Sequence, residues 1–383
     1  MDPVYLDHAA TTPLRAEVRA AMEPYLGDRF GNASSLHRWG REARSALDQA
    51  RAEVAEAIGA RPSEVHFVRG GTESDNLALI GSWLAQRDGS SSRAVVVSSI
   101  EHSAVLDAAV HLETAEGANV LRLAVSPTDG LDVASLLDIL RSGPALVSVM
   151  WVNNETGMTL PVERVAELSR EHGAVVHTDA AQAVGKVPVS VADTPVDLLT
   201  ATGHKINGPK GTGILFVREG TPITPLLFGG GQERRRRPGT EDVAGAVGFA
   251  TALRLAIEEQ EATADRLAKL RSDFERRLRQ AIPDLRVNCG DAHRSPHVSS
   301  VGLAVADGAA FLAALDLEGI AASGGSACHS GAHRSSHVLS ALYGSDDRLA
   351  TIRFSFGIGT TEAETRRAVD VTAQLAARFA TPA

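Results

Sequence analysis

Over most of its length the chain alternates short β-branched runs with helix-length stretches, and this alternation narrows its fold class more than any single residue does. "EVHFVRGG" leads into "TESDNLALIGSWLAQR", "SRAVVVSSI" into "EHSAVLDAAVHLE", and "ALVSVMWVNNETG" into "PVERVAELSREHG". "AVVHTDAAQAVG" is followed by "DLLTATGHK" and "GTGILFVRE". Such alternation predicts an α/β fold with a mainly parallel sheet covered on both faces. Around residues 240–280 the pattern becomes a long charged helix, followed by "HVSSVGLAV", a further helix, "SGGSACHSG", "TIRFSFG" and a last helix from about Thr361. A chain of 383 residues exceeds the roughly 250–300 at which single cores stop growing. We therefore expect a large α/β domain over 14–255 and a smaller α+β domain over 256–383, joined by the N-terminal segment 1–13. Repeats and low-complexity linkers are lacking, so the two should pack tightly.

The net charge is −9, with acids and bases interspersed, which argues against a direct nucleic-acid or membrane-surface binder. Two cysteines cannot build a disulfide framework and fit a reducing cytoplasm. "MDPVYLDHAATTP" lacks the pattern of a signal peptide, and no run reaches the roughly 18 apolar residues of a membrane helix. The expectation is a cytoplasmic protein.

Three segments carry the chemistry. "LLTATGHKINGPKGTG" puts Lys205 just after an apolar strand and before a loop rich in Gly and Pro. Open α/β sheets bind ligands at that end of a strand, and a desolvated amine there becomes nucleophilic towards a carbonyl. Taken alone it is an ordinary surface lysine. Asp179 ends the strand-like "GAVVHTDAAQ"; its ordinary role is a helix N-cap, and its chemical one is to keep a ring nitrogen protonated. "VRGGTESDNLAL" sets Gly71 and Thr72 at a strand-to-helix turn, where free N–H groups suit an anion. A phosphate seat, an acid for a ring nitrogen and a Schiff-base lysine together suit pyridoxal 5'-phosphate.

Ten ordered motifs, from "YLDHAATTP", "GNASSLH" and "GGTESDN" to "HTDAAQAVG", "GHKINGPKG", "GGGQERRRRPGTED", "SGGSACHSG" and "IRFSFG", then identify the chain by resemblance. It resembles the cysteine desulfurases of iron–sulfur-cluster assembly and nitrogen fixation, within the fold-type I pyridoxal-phosphate enzymes. The resemblance implies a large domain with a seven-stranded mainly parallel sheet, and a homodimer. It implies that Lys205 holds the cofactor covalently, Asp179 pairs with its ring nitrogen and Gln182 reaches its ring hydroxyl. His102 would stack on the ring and shuttle protons. Gly71, Thr72, Thr202 and His204 would hold the phosphate, with Thr240 contributed by the second subunit. Asn154 and Arg353 would bind the carboxylate of the substrate L-cysteine, and Cys328 would take its sulfur as a persulfide. A thiol that visits a buried cofactor and then a sulfur-acceptor protein needs a mobile tether, which the glycines and serines around Cys328 supply.

Some features stand apart. The "RRRR" at 234–237 reads as a solvated charge run, or else as a lining of the dimer seam. His329, His333 and His337 follow Cys328, so a Cys/His zinc protein is a rival of a different class; no metal is expected, because that reading leaves Lys205 and Asp179 unexplained. A Cys–His hydrolase fails on the same ground, and a non-catalytic scaffold has no use for Lys205, His102 and Cys328 together. Selenocysteine lyase is the nearest alternative activity. Cys289, at the end of an apolar strand, reads as inert.

Overall fold

The computed structural model describes residues 2–86, 94–143, 145–324, 336–345 and 349–379. Apart from a short hairpin of Val125–Ser126 with Gly130–Leu131, the first 217 residues supply β1 Val4–Tyr5, β2 Val65–Val68, β3 Ala94–Ser98, β4 Asn119–Leu123, β5 Ala145–Ser148, β6 Val175–Asp179, β7 Leu198–Thr202 and β8 Gly213–Val217. Seven of them form one sheet in the spatial order β2-β8-β7-β6-β5-β3-β4. β8 runs antiparallel to β2 and β7, and the remaining neighbours are parallel. This is the mainly parallel seven-stranded sheet that the resemblance implied.

Side chains alternate across the sheet, as the period of two requires. Val96, Val147, Leu199 and Phe216 join one buried cluster, while Val95, Val97, Leu198 and Leu215 join the cluster on the other face. Helices cover both faces, so β3, β7 and β8 are buried along their whole length, while the edge strand β4 is exposed at Asn119 and Arg122. Each Val or Leu taken fully out of water contributes about 1.5–3 kcal/mol. The helix Arg38–Ile58 buries Leu47, Val54 and Ile58 on one face and stops at Gly59, whose φ of +71° is left-handed. That conformation suits glycine because it lacks a Cβ.

The C-terminal part builds a second core around Phe274, Phe311, Phe354 and Phe356. Its strands are β9 Arg286–Val287, β10 Val298–Leu303, β11 Ile320–Ala321, β12 Ser323–Gly324 and β13 Ala350–Ser355. β9, β10, β13 and β12 form an antiparallel sheet in that order. The N-terminal β1 pairs in parallel with β11, and Val4 and Leu6 are buried in the second core. The segment that follows, from His8 to Thr12, therefore lies between the two sheets: Ala9 bonds Ser355 of β13, and Thr12 bonds His204 just beyond β7.

Candidate active site

Four parallel strands end at one cavity of about 420 Å³. β3 leads to His102, β5 to Met150, Val152 and Asn154, β6 ends on Asp179, and β7 ends on Thr202 and continues to His204 and Lys205; all of these line the cavity. The carboxyl ends of parallel strands are where open α/β sheets place their ligands. Gly71 and Thr72, at the start of the helix after β2, join the lining. Gly70 before them has a φ of +105°, which turns the chain sharply from strand to helix. Gln182 and Arg353 complete the set, so every sequence-predicted residue among those described is here except Thr240, which is exposed and outside this lining.

Lys205 follows β7 on a single 3-10 turn, Gly203–Lys205. Its Nζ donates to the carbonyls of Ala9 and Ala10, each at 2.6 Å. Asp179 accepts the N–H of Ala181 at 2.9 Å, and burial pushes its carboxyl up from the ordinary range, with His102 and Lys205 pulling the other way. Arg353 is 2% exposed. It donates to the Asn154 carbonyl at 3.0 Å and to Asp7 at 2.8 Å, while its Nε is buried without a partner. His102 caps the helix Ser103–Glu116 by accepting the N–H of Ala104 through Nδ1. His204 is pushed down to about 4 by burial and by Lys205.

A scan for known families finds one match over residues 4–367, described as aminotransferase class-V. A protein of Bacillus subtilis (strain 168) described as "Putative cysteine desulfurase IscS 1" is 42% identical over 381 residues, 99% of this chain and 100% of its own length. A "Cysteine desulfurase" of Cereibacter sphaeroides is 44% identical over 373 residues, 97% of this chain and 95% of its own. This chain belongs to the class-V aminotransferases, among the cysteine desulfurases. Solved structures agree. A "NIFS-LIKE PROTEIN" superposes with a TM-score of 0.90 at 32% identity, covering 98% of this chain and 100% of that one. A structure titled "SspA in complex with cysteine" has a TM-score of 0.76 at 32% identity, covering 95% and 96%.

In this desulfurase the candidate nucleophile Cys328, with His329 and His333, lies outside the described residues. The chain re-enters beside the cavity. Ser336 donates to Glu155 at 2.5 Å, and His337 lines the cavity with its Nε2 2.8 Å from the Glu101 carbonyl. Cys289 sits just past β9 and not within a strand as expected, at a left-handed φ of +53°; it is buried, and burial pushes its thiol up. The arginine run is no free charge run either. Arg234 donates to the Pro62 and Val65 carbonyls, Arg236 to His66 at 2.5 Å and Arg237 to Glu73 at 2.9 Å.

Residues that the motifs did not single out complete the surroundings. Asp75 lines the cavity fully buried, 3.6 Å from His177 Nε2, and burial together with Asp179 pushes its carboxyl well up. His177, Ser148 and Thr200 form a hydrogen-bonded polar layer from three neighbouring strands. Glu101 accepts from Ser98 at 2.5 Å and from the N–H of Met150 at 2.7 Å, and burial pushes it up to about 8. Glu155 is raised by burial to about 7.

Proposed function

We propose that this cysteine desulfurase uses pyridoxal phosphate to convert L-cysteine to L-alanine, with the sulfur moving to Cys328 as a persulfide and then to an acceptor protein. The observation that carries the reading is one cavity faced by an amine, a buried carboxylate opposite, hydroxyl and backbone donors at one end and a buried guanidinium. The residues fit the cofactor. Asp75 Oδ1 and Arg353 Nε are buried polar atoms without partners, and burial raises both the Asp75 and the Asp179 carboxyl, the latter in spite of His102 and Lys205 nearby. A protonated ring nitrogen offsets that cost. Gly71, Thr72, Thr202 and His204 would hold the phosphate, Asp179 the ring nitrogen, Gln182 the ring hydroxyl, His102 the ring face and Lys205 the carbonyl carbon.

When bound, pyridoxal phosphate supplies an electron sink next to the substrate's α-carbon. Lys205 Nζ takes the α-proton; the Ala9 and Ala10 carbonyls that hold it now keep the amine within the cavity. Asp179 keeps the ring nitrogen protonated. Arg353 and Asn154 hold the substrate carboxylate and so orient the Cα–H and Cβ–S bonds. The Cys328 thiolate attacks the substrate sulfur: an S–S bond forms, the Cβ–S bond breaks, and its electron pair stays with the carbon skeleton, which is protonated and leaves as alanine. The rest of the reading is a cytoplasmic homodimer with Thr240 reaching the partner's site, domains over 14–255 and over 256–383 with 1–13, and an iron–sulfur scaffold or a thiolation enzyme as acceptor. Among the described residues, no helix is long and apolar enough to cross a membrane.

The test is a single-turnover reaction with L-cysteine, followed by mass spectrometry of the protein. Alanine and a persulfide on Cys328 should appear in equal amounts. Alanine released together with free sulfide, leaving Cys328 unmodified, would overturn the proposal.

A further inference from the structure

Lys205 also lines a second, smaller cavity of about 60 Å³, together with His8, Lys186 and His297. Gln182 stands between the two. Its Oε1 accepts from Lys186 Nζ at 2.7 Å and lies 3.1 Å from His297 Nε2, both groups of the smaller cavity. Its Nε2 donates at 2.8 Å to the Ala9 carbonyl, the same oxygen that accepts from Lys205. An amide side chain can offer either end to a ligand. Reversing this one would set its oxygen against the Ala9 carbonyl, acceptor to acceptor, and would withdraw the oxygen to which the Lys186 amine now donates. Buried polar groups would lose their present partners.

We infer that Lys186 and His297 are positioning residues that lock the Gln182 amide with its nitrogen at the main cavity, so that this wall donates a hydrogen bond to the bound cofactor and never accepts one. The amide nitrogen carries two hydrogens, and Ala9 takes one. The other is available to an acceptor in the cavity, such as the ring oxygen of pyridoxal phosphate. Burial, with Lys205 and Arg353 nearby, holds the Lys186 amine well below its ordinary range, and an uncharged amine still donates. His297 is likewise held neutral by burial and by Lys186, a form in which Nε2 can carry its only proton towards Gln182. This inference rests on the reading of the main cavity as the cofactor seat.

The test titrates the visible absorbance of the resting, cofactor-loaded protein with pH, in wild type, K186M, Q182L and the double variant. A donor to the ring oxygen favours its deprotonated form. K186M should therefore raise the apparent pKa of the band by ~0.5–1 unit. In the Q182L background the same substitution should add no further shift, because a residue that acts through another loses its effect when that one is gone. Equal shifts in both backgrounds, or no shift in either, would overturn the inference. Should K186M not fold, H297L deletes the other contact to Oε1 and is read in the same way. A wild-type protein with no visible cofactor band would overturn the seat itself, a result distinct from a band that ignores Lys186.

Discussion

The two sides of Lys205 use burial in opposite senses. In front, around the 420 Å³ cavity, the buried groups are mostly acids, and desolvation pushes Asp75, Asp179, Glu101 and Glu155 upward. Behind, around the 60 Å³ cavity, they are bases, and desolvation pushes Lys186, His297 and His8 downward, His8 to about 4. Burial favours the uncharged form in both cases. The front therefore sets raised acids beside Lys205, His102 and Arg353, and the back is a set of neutral donors and acceptors. Lys205 belongs to both, with its amine donating to carbonyls of the N-terminal segment. On the proposed reading, the difference teaches that raised acids in front suit a ligand with a protonated ring nitrogen, while neutral groups behind position the wall.

Removing the residue common to both sides should have the largest effect. On the proposed reading, Lys205→Ala deletes the covalent link and the base together. General-base loss alone is worth about 10²–10⁴ in rate, and the covalent role adds to it, so steady-state alanine production should fall to background. Turnover within tenfold of wild type would break the comparison at its centre.

Asp179→Asn probes the front alone. The phosphate-holding residues and Lys205 remain, so the variant should still bind cofactor. It loses the charge that keeps the ring nitrogen protonated, and removal of one preorganised electrostatic group in a water-excluded site costs about 10²–10³ in kcat. Cofactor retention measured by absorbance, beside a kcat reduced by that factor, is the expected pair of results. A kcat near wild type would mean that another acid, with Asp75 the nearest candidate, does this work.

How much of this was legible depends on whether the signal is local. Most strands of the sheet were readable because each is a short run rich in β-branched and apolar residues beside a helix, and Lys205, Asp179, Gly71 and Thr72 because each sits at the end of such a run; β4, with Asn119 and Arg122 exposed, was not. Asp75 was not. It lies inside the helix Gly71–Asn76, where an acid normally faces water, and the packing of that helix against β7, β8 and the helix Ser103–Glu116 buries it. The Ser148–His177–Thr200 layer depends on register: Ser148 stands opposite His177 in the β5–β6 ladder, and Thr200 opposite Asp179 in the next. Lys186 and His297 lie 111 positions apart and meet because the two sheets pack around the N-terminal segment. Within the arginine run Arg234 and Arg235 are exposed, but composition cannot reveal that Glu233, Arg234 and Arg235 adopt left-handed φ values of +45°, +56° and +65°. That path carries the Glu233 carboxylate inward to Arg51, at 2.7 Å.

The smallest effect separates the acids in front from the bases behind by their pH dependence. Glu101 has an ordinary pKa of 4.5 and is raised by burial to about 8. Its protonated form is the stable one in the fold, so its contribution is complete below 4.5 and is lost as pH rises through 8. His8, lowered from 6.5 to about 4, has the opposite sign: its contribution is complete above 6.5 and is lost as pH falls through 4. Glu101→Gln removes the first limb and leaves the second. The amide places an N–H₂ or an oxygen where Oε2 is buried without a partner, a constant offset at every pH. The informative quantity is therefore the difference in Tm between variant and wild type, followed by calorimetry from pH 5 to 9. It should move in favour of the variant by a few °C between pH 5 and 8, as the fold loses the proton that burial favours, and level off above. Below pH 5 both proteins should lose stability in parallel, because His8 is untouched. A difference that stays flat from pH 5 to 9 would mean that Glu101 titrates in the ordinary carboxylate range, and that burial does not hold the acids in front of Lys205 uncharged.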